Sequence, residues 1–445
     1  MTSGSLHRFG QRIAGSEMQS NVAITGMRSF NGELTVPGDK SISHRALMIS
    51  ALSNGTSIIK GLSSGKDVLA TRVMIGQLGA RVIDAGDHLT IEGGPDRLSA
   101  PESELDVGNS GTLMRLGAGM VAGLGGTYNF SGDESVNARP MKRIFNPLTQ
   151  MGAEIQASNN GETAPFTLRS FGLHGIRYAL PVASAQVKSA ILLAGLGATG
   201  TTTVIETIPT RMHTEEMLLD AGAKLDIVTL AGGREISIER GSLKPMDYNI
   251  PGDPSQAAFW LVAALVTPDS QITVRNIYLG ELRSDFISVL QEMGADITVA
   301  YTSKNSGDVT ARSSHLRSTT ISPDKIAGLI DEIPILCIAA SFADGITEIS
   351  GAAELRVKES DRISVSARAL QSFGVAVEEF PDGMAVTGGS RLHRGNVSAH
   401  LDHRIAMACS VLAAAVEGST AITGFDSVES SYPDFLKDFE RLTSN

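Results

Sequence analysis

Residues 38–55, GDKSISHRALMISALSNG, place a lysine (Lys40), a serine (Ser41) and an arginine (Arg45) at the head of an apolar stretch. Asp39 or Ser41 can cap a helix there, ALMISAL supplies its body, and Asn54-Gly55 ends it. Ser41 and Arg45 are four residues apart and share one helix face, with Lys40 at its mouth. Free N–H groups beside two cations suit a phosphate or a carboxylate, against the plainer reading of a capped surface helix. GNSGTLMR (108–115) offers a second such cap, in which Asn109 and small residues allow close backbone approach, or simply a tight turn with its helix. In NARPMKR (137–143), Arg139 precedes a proline, and extended geometry there frees its fork for a two-pronged grip on an anion. RVKESDRI (356–363) is denser: Lys358, Glu359 and Arg362 fall within five residues, with Ser360 and Asp361 as possible caps. A carboxylate flanked by cations can exchange protons with a bound anion. Arg404, in LDHRIAM (401–407), opens a buried helix, where an unpaired cation is costly; either Asp402 or an anionic ligand answers it. Asp331, heading DEIPILCIAA, is either an N-cap or a carboxylate held at a cleft.

These residues need elements to hold them. Polar caps recur before helices that are apolar on nearly all sides: DVGNSGTLMRLGAGMVAGL, SAQVKSAILLAGLGA, DPSQAAFWLVAALV, DEIPILCIAASFA and LDHRIAMACSVLAAAV. A helix apolar all round belongs inside its domain. Alternating segments such as TTTVIE (201–206), EISIER (235–240) and ITVRNI (272–277) read as half-exposed strands. The expectation is helices within and sheets around them, with polar helix starts gathered at one end. Five echoes, at Gly79, Gly152, Gly222, Gly294 and Gly374, each close a helix-like stretch and lead into a strand-like one. Their spacing suggests a βαβαββ-sized unit used repeatedly, with a sixth copy split between the chain ends. GLGATG (195–200) matches a dinucleotide-binding pattern but follows a helix and precedes a strand, the wrong order; GLSSGKD (61–67) has the wrong spacing for a phosphate loop and reads as a loop.

With 445 residues, the chain has room for two or three domains. Hydrophobic residues at 42% and charged ones at 19% describe a soluble globular protein, and no apolar run reaches the length of a spanning helix. A net charge of −11 speaks against nucleic acid but leaves room for convergent arginines around a small anion. Cys337 and Cys409 lie in apolar runs, as buried core thiols in a reducing cytoplasm would, and no Cys/His cluster suggests a metal. Residues 1–20 lack the apolar core of a secretory signal and are expected to be a flexible extension.

Taken together, GDKSISHR, GNSGT, the Arg-Pro of NARPMK, SAQVKSA, DEIPIL, RVKESDRI and DHRIAM resemble, in order and spacing, the 5-enolpyruvylshikimate-3-phosphate (EPSP) synthase family. The resemblance runs from about Asn21 to SYPDF (431–435), and SAQVKSA, TRMHTEEML and RVKESDR look like its class II branch. It implies the enolpyruvyl transferase fold: a two-domain inside-out α/β barrel, each domain three βαβαββ repeats with buried helices. Mapped here, residues 39–250 form one domain and 21–38 plus 251–445 the other, with the active site in the cleft between them.

By the same resemblance, the enolpyruvyl group of phosphoenolpyruvate passes to the 5-hydroxyl of shikimate 3-phosphate, without a cofactor or metal. The catalytic residues would be Lys40, Asp331 and Glu359: Asp331 takes the hydroxyl proton, while Glu359 and Lys40 handle protons at C3 and the bridging oxygen. Shikimate 3-phosphate would meet Lys40, Ser41, Arg45, Ser184, Ala185, Gln186, Arg211, Asp331 and Lys358. Phosphoenolpyruvate would meet Lys40, Asn109, Gly111, Arg139, Gln186, Arg362 and Arg404. Many relatives carry a lysine shortly before the C-terminal aromatic-Pro pair, where this chain has Ser430 and Ser431, so one arm of that clamp is missing or replaced. Gly111 stands where glyphosate-insensitive relatives can carry alanine, so glyphosate is expected to compete with phosphoenolpyruvate. A cytoplasmic monomer is implied. The alternative is the sister family acting on UDP-N-acetylglucosamine, which usually carries a reactive cysteine on a mobile loop.

Overall fold

The computed structural model describes residues 7–11, 19–27 and 29–443. The chain divides into two compact units, Gly38–Ile250 and Met1–Pro37 with Pro251–Asn445, passing between them at 37–38 and again at 250–251. Most of the expected flexible extension lies outside the described residues; within it, His7–Gln11 is a strand paired antiparallel to Gln19–Thr25.

One motif builds both units. In its clearest copy, strand Arg177–Ala179 leads through helix Ala185–Gly195 to the parallel strand Thr201–Glu206. Helix His213–Asp220 then leads to Leu225–Leu230 and Gly233–Glu239, which form a hairpin, and Gly233–Glu239 pairs antiparallel with Thr201–Glu206. The same four-stranded arrangement, one short parallel strand and then two antiparallel pairings, occurs six times among the described residues. The sixth copy draws Val397–Ser398 and Ser419–Thr423 from one end of the chain, His7–Gln11 and Gln19–Thr25 from the other. All five echoed glycines take positive φ, between 81° and 112°, at the turn from helix to strand.

Parallel strands need a long crossover, and here the crossover helix is the one that goes inside. Ala185–Gly195 is buried from Val187 onward, His403–Ala414 throughout, and Pro254–Val266 in all but its last residue. The second helix of each copy is amphipathic: His213–Asp220 keeps Leu219 and Asp220 exposed and buries Met217 and Leu218. Asp39, Ser110, Ser184, Asp253 and Asp402 each cap an internal helix by accepting a backbone N–H, which settles the choice at residue 39 or 41 in favour of Asp39.

In the unit that holds both chain ends, the single tryptophan anchors the C-terminal helix. Trp260 stacks on Phe435 with ring centroids 4.9 Å apart and donates to Tyr432 Oη at 3.1 Å. Both rings are buried completely, so Phe435→Ala is expected to cost this unit about 3–5 kcal/mol. Urea unfolding followed by Trp260 fluorescence checks this; a loss under 1 kcal/mol would mean that the stack contributes little.

Candidate functional site

In the Gly38–Ile250 unit, Lys40 is the first residue of helix Lys40–Leu52, and its Nζ lies 3.0 Å from Asp67 Oδ2. Asp67 opens the next helix, Lys66–Gln77, so the end of GLSSGKD is helical rather than loop and supplies a partner that the sequence reading missed. Arg45 is only 4% exposed. Its Nε donates to Thr214 Oγ1 at 2.6 Å, Nη2 to Ser189 Oγ at 2.7 Å and Nη1 to the Ser41 carbonyl at 3.0 Å. Burial pulls its pKa down to about 10, against the opposing pull of Glu215 and Asp39; Arg211 also pushes it down and is therefore near. Arg45 remains charged at neutral pH. Its neighbour His44 does not: burial first, then the charges of Lys40 and Arg45, push the imidazole well below 6.5.

A second group lies in the same unit. Ser110 caps helix Gly111–Leu124, and Arg115, one turn in, donates from Nη1 to Gln186 Oε1 at 2.6 Å. Gln186 sits just after the cap Ser184 and donates in turn to Thr112 Oγ1 at 3.0 Å. Arg139 donates to Asn109 Oδ1 at 2.8 Å, and Asn109 to Asp133 Oδ2 at 2.5 Å. Gly111 is pressed between the two arginines: a methyl there would stand 2.8 Å from Arg139 Nη1 and 3.2 Å from Arg115 Nη1. Arg115 went unnoticed in the sequence; its position four residues after Gly111, on one helix face, was the available signal.

In the other unit, Asp331 collects cations. Its Oδ1 is 3.5 Å from Arg362 Nη1, 3.8 Å from Arg404 Nε and 3.9 Å from Lys358 Nζ, and its carbonyl accepts from Arg404 Nη1 at 3.0 Å. Asp331 is not an N-cap: helix Ile333–Ser341 starts two residues later, with Glu332 at the cap position. Glu332 is gripped by Arg283 Nη1 at 3.2 Å and by the Ser255 hydroxyl, while Arg283 Nη2 lies 2.5 Å from Asp253. Arg362, 1% exposed, pairs through Nε with Asp402 at 2.8 Å and through Nη2 with Glu359 at 2.6 Å. Burial alone would weaken its hold on its proton, but Asp402, Glu359 and Asp331 together more than reverse that. Of the two answers left open for Arg404, Asp402 is not its charge partner; the carboxylate paired with it is Asp331. Asp402 accepts the Arg404 backbone N–H at 2.9 Å as a cap, and its charge answers Arg362.

The Gly38–Ile250 unit therefore carries two charged groups and the other unit one. Lys40, Ser41, Arg45 and Arg211 stand together in the first, as do Asn109, Gly111, Arg139 and Gln186; Asp331, Lys358, Glu359, Arg362 and Arg404 stand together in the second. With Asp402, which pairs with Arg362, this cluster holds three cations and three carboxylates and neutralises itself. Among the described residues, no group of His, Cys, Asp and Glu is arranged to hold a metal, and no helix is long and apolar enough to cross a membrane. Cys337 and Cys409 are buried, their thiols pushed up to about 12 by desolvation.

Comparison with known proteins follows this geometry. The sequence model of the family described as EPSP synthase (3-phosphoshikimate 1-carboxyvinyltransferase) matches residues 24–439. A 3-phosphoshikimate 1-carboxyvinyltransferase of Synechococcus sp. (strain JA-3-3Ab) is 45% identical over 95% of this chain and 96% of its own length. The solved structure of EPSP synthase from Acinetobacter baumannii superposes with a TM-score of 0.83 at 38% identity, covering 96% of this chain and 98% of that one. The enolpyruvyl transferase NikO from Streptomyces tendae shares the fold, with a TM-score of 0.74 at 19% identity over 94% and 96% of the two chains.

The neutral His44 has a consequence for stability. An unfolded chain takes up its proton near pH 6.5 while the folded chain resists it, so the folded state is favoured above that pH and loses stability below it. The loss reaches about 1.4 kcal/mol per pH unit. Urea titrations of wild type and His44→Gln between pH 7 and pH 5 check this: wild type is expected to fall more steeply, and parallel slopes would contradict it.

Proposed function

We infer, for a chain that belongs to the EPSP synthase (3-phosphoshikimate 1-carboxyvinyltransferase) family, that the charged groups described above are its substrate-binding and catalytic residues. The chain is a transferase. It moves the enolpyruvyl group of phosphoenolpyruvate onto the 5-hydroxyl of shikimate 3-phosphate and releases phosphate. Asp331 among three cations is the observation that carries the assignment of roles.

In the addition step, the 5-hydroxyl oxygen bonds to C2 of phosphoenolpyruvate, its proton passes to Asp331, and C3 gains a proton from Glu359. The tetrahedral adduct then collapses. The bond from C2 to the bridging oxygen breaks, Lys40 protonates that oxygen, and C3 returns its proton to Glu359. An acid–base pair alone would not suffice, because both substrates bring concentrated negative charge. Arg139, Arg362 and Arg404 suit phosphoenolpyruvate, with Lys40, Asn109, Gly111 and Gln186 beside them. Lys40, Ser41, Arg45, Ser184, Ala185, Gln186, Arg211, Lys358 and Asp331 suit shikimate 3-phosphate. The arginines are charged and already oriented by internal partners, as Arg45 is by Thr214 and Ser189 and Arg362 by Asp402 and Glu359. Such preorganisation removes reorganisation from the reaction itself.

Such an enzyme would work in the cytoplasm as a monomer. A UDP-N-acetylglucosamine transferase is not favoured: both cysteines are buried within helices and hold their protons to about 12, which is the reverse of a reactive thiol.

Phosphate release on mixing shikimate 3-phosphate with phosphoenolpyruvate, and none with UDP-N-acetylglucosamine, is expected; the opposite preference would overturn the function. Asp331→Asn is expected to lower kcat by about 10²–10⁴-fold, and a variant with full turnover would remove it as the base. Glyphosate is expected to compete with phosphoenolpyruvate. In Gly111→Ala the added methyl displaces the Arg139 fork, so the KM for phosphoenolpyruvate and the inhibition constant for glyphosate should both rise. Steady-state inhibition with each variant decides this, and unchanged constants would place Gly111 away from the ligand.

A further inference from the structure

Lys188 has no place in the chemistry above, yet it is among the most deeply buried charges in the chain. The side chains of Lys188, Glu206 and Glu215 are all fully inaccessible to solvent. Lys188 Nζ lies 2.9 Å from Glu206 Oε1 and 2.6 Å from Glu215 Oε1, and donates to the Thr210 carbonyl at 3.4 Å. One ammonium thus stands in ion-pair contact with both carboxylates while donating to a backbone carbonyl. Charge also balances locally, since Glu215 acts on Arg45 as well as on Lys188, giving two cations for two carboxylates.

The elements joined by this ammonium are those that carry residues of the proposed shikimate 3-phosphate side. Lys188 stands two residues after Gln186 in helix Ala185–Gly195. Glu206 ends strand Thr201–Glu206, and its Oε1 also accepts the Thr210 hydroxyl. Thr210 immediately precedes Arg211. Glu215 lies in helix His213–Asp220, next to Thr214, the partner of Arg45 Nε. Apolar side chains would fill the same space at no desolvation cost, since a buried ion pair rarely adds net stability over well-packed hydrophobic residues. What an apolar core cannot supply is a charged tie to three separate segments at once.

We propose that Lys188 is a positioning residue for shikimate 3-phosphate: through Glu206, Glu215 and the Thr210 carbonyl it sets Arg211 and the Thr214 anchor of Arg45 where that substrate needs them. This rests on reading Arg45 and Arg211 as residues of the shikimate 3-phosphate side. Glu206→Gln is the probing change, because it keeps size and the Lys188–Glu215 pair while weakening the tie to residues 207–212. Thr210→Ala, which removes only the hydroxyl link to Glu206, is the milder companion should the first variant fail to fold.

Steady-state kinetics are run on both variants with each substrate varied, alongside thermal unfolding. Glu206→Gln is expected to raise the KM for shikimate 3-phosphate about tenfold, equivalent to ~1.4 kcal/mol. Thr210→Ala should raise it severalfold, while kcat and the KM for phosphoenolpyruvate stay within about twofold. A folded variant with a lower Tm and all kinetic constants unchanged would make the cluster purely structural and overturn the proposal. So would an equal rise in both KM values. Wild-type protein that neither binds shikimate 3-phosphate by calorimetry nor releases phosphate would instead defeat that reading of Arg45 and Arg211, and the proposal with it.

Discussion

A guanidinium taken out of water must be answered by an anion, and that constraint governs the charged clusters of this protein. Arg362, with 1% of its side chain exposed, is answered by Asp402, Glu359 and Asp331. Arg45 is answered by hydroxyls and by the nearby charges of Glu215 and Asp39. In a low dielectric, such cations interact strongly with whatever replaces or joins their partners. Under the proposed roles, a doubly charged substrate arriving at Arg362 and Arg404 would compete with Asp331 for them. The event that binds the substrate would then loosen the carboxylate proposed to accept a proton.

The fold supplies the rigidity this needs. Crossover helices that would lie on the outside of an ordinary parallel sheet are turned inward, so the first residues of each helix are held by a core packed on every side. Asp39, Ser110, Ser184 and Asp402 fix the helix starts by capping, and Lys40, Gly111, Gln186 and Arg404 follow one or two residues later. Small differences at these starts separate the clusters chemically. Gly111 lets two arginines approach its own backbone, whereas Asp402 caps its helix and neutralises a neighbouring one.

Much of this was legible in the chain. The internal helices were readable because they are apolar on all faces, and the five helix-ending glycines because positive φ favours that residue. The split sixth repeat followed from counting copies. The candidate cations were readable from type and position; their partners were not. Asp67, Asp402 and Arg283 lie 27, 40 and 49 residues from Lys40, Arg362 and Glu332 respectively, and nothing local distinguishes one surface carboxylate or arginine from another. Whether Asp402 or a ligand answers Arg404 was not legible, because helical spacing was the only geometry available. Packing gives the Asp402 charge to Arg362, on a different helix. Lys188 shows the same limit, since an apolar run with one lysine does not announce two buried glutamates.

The proposed roles require that each of the named arginines meet its ligand. A crystal structure of Asp331→Asn with shikimate 3-phosphate and phosphoenolpyruvate tests this directly. Arg139, Arg362 and Arg404 are expected within hydrogen-bonding distance of phosphoenolpyruvate, and Arg45 and Arg211 on the side of shikimate 3-phosphate. Ligands bound with these arginines directed elsewhere would contradict it.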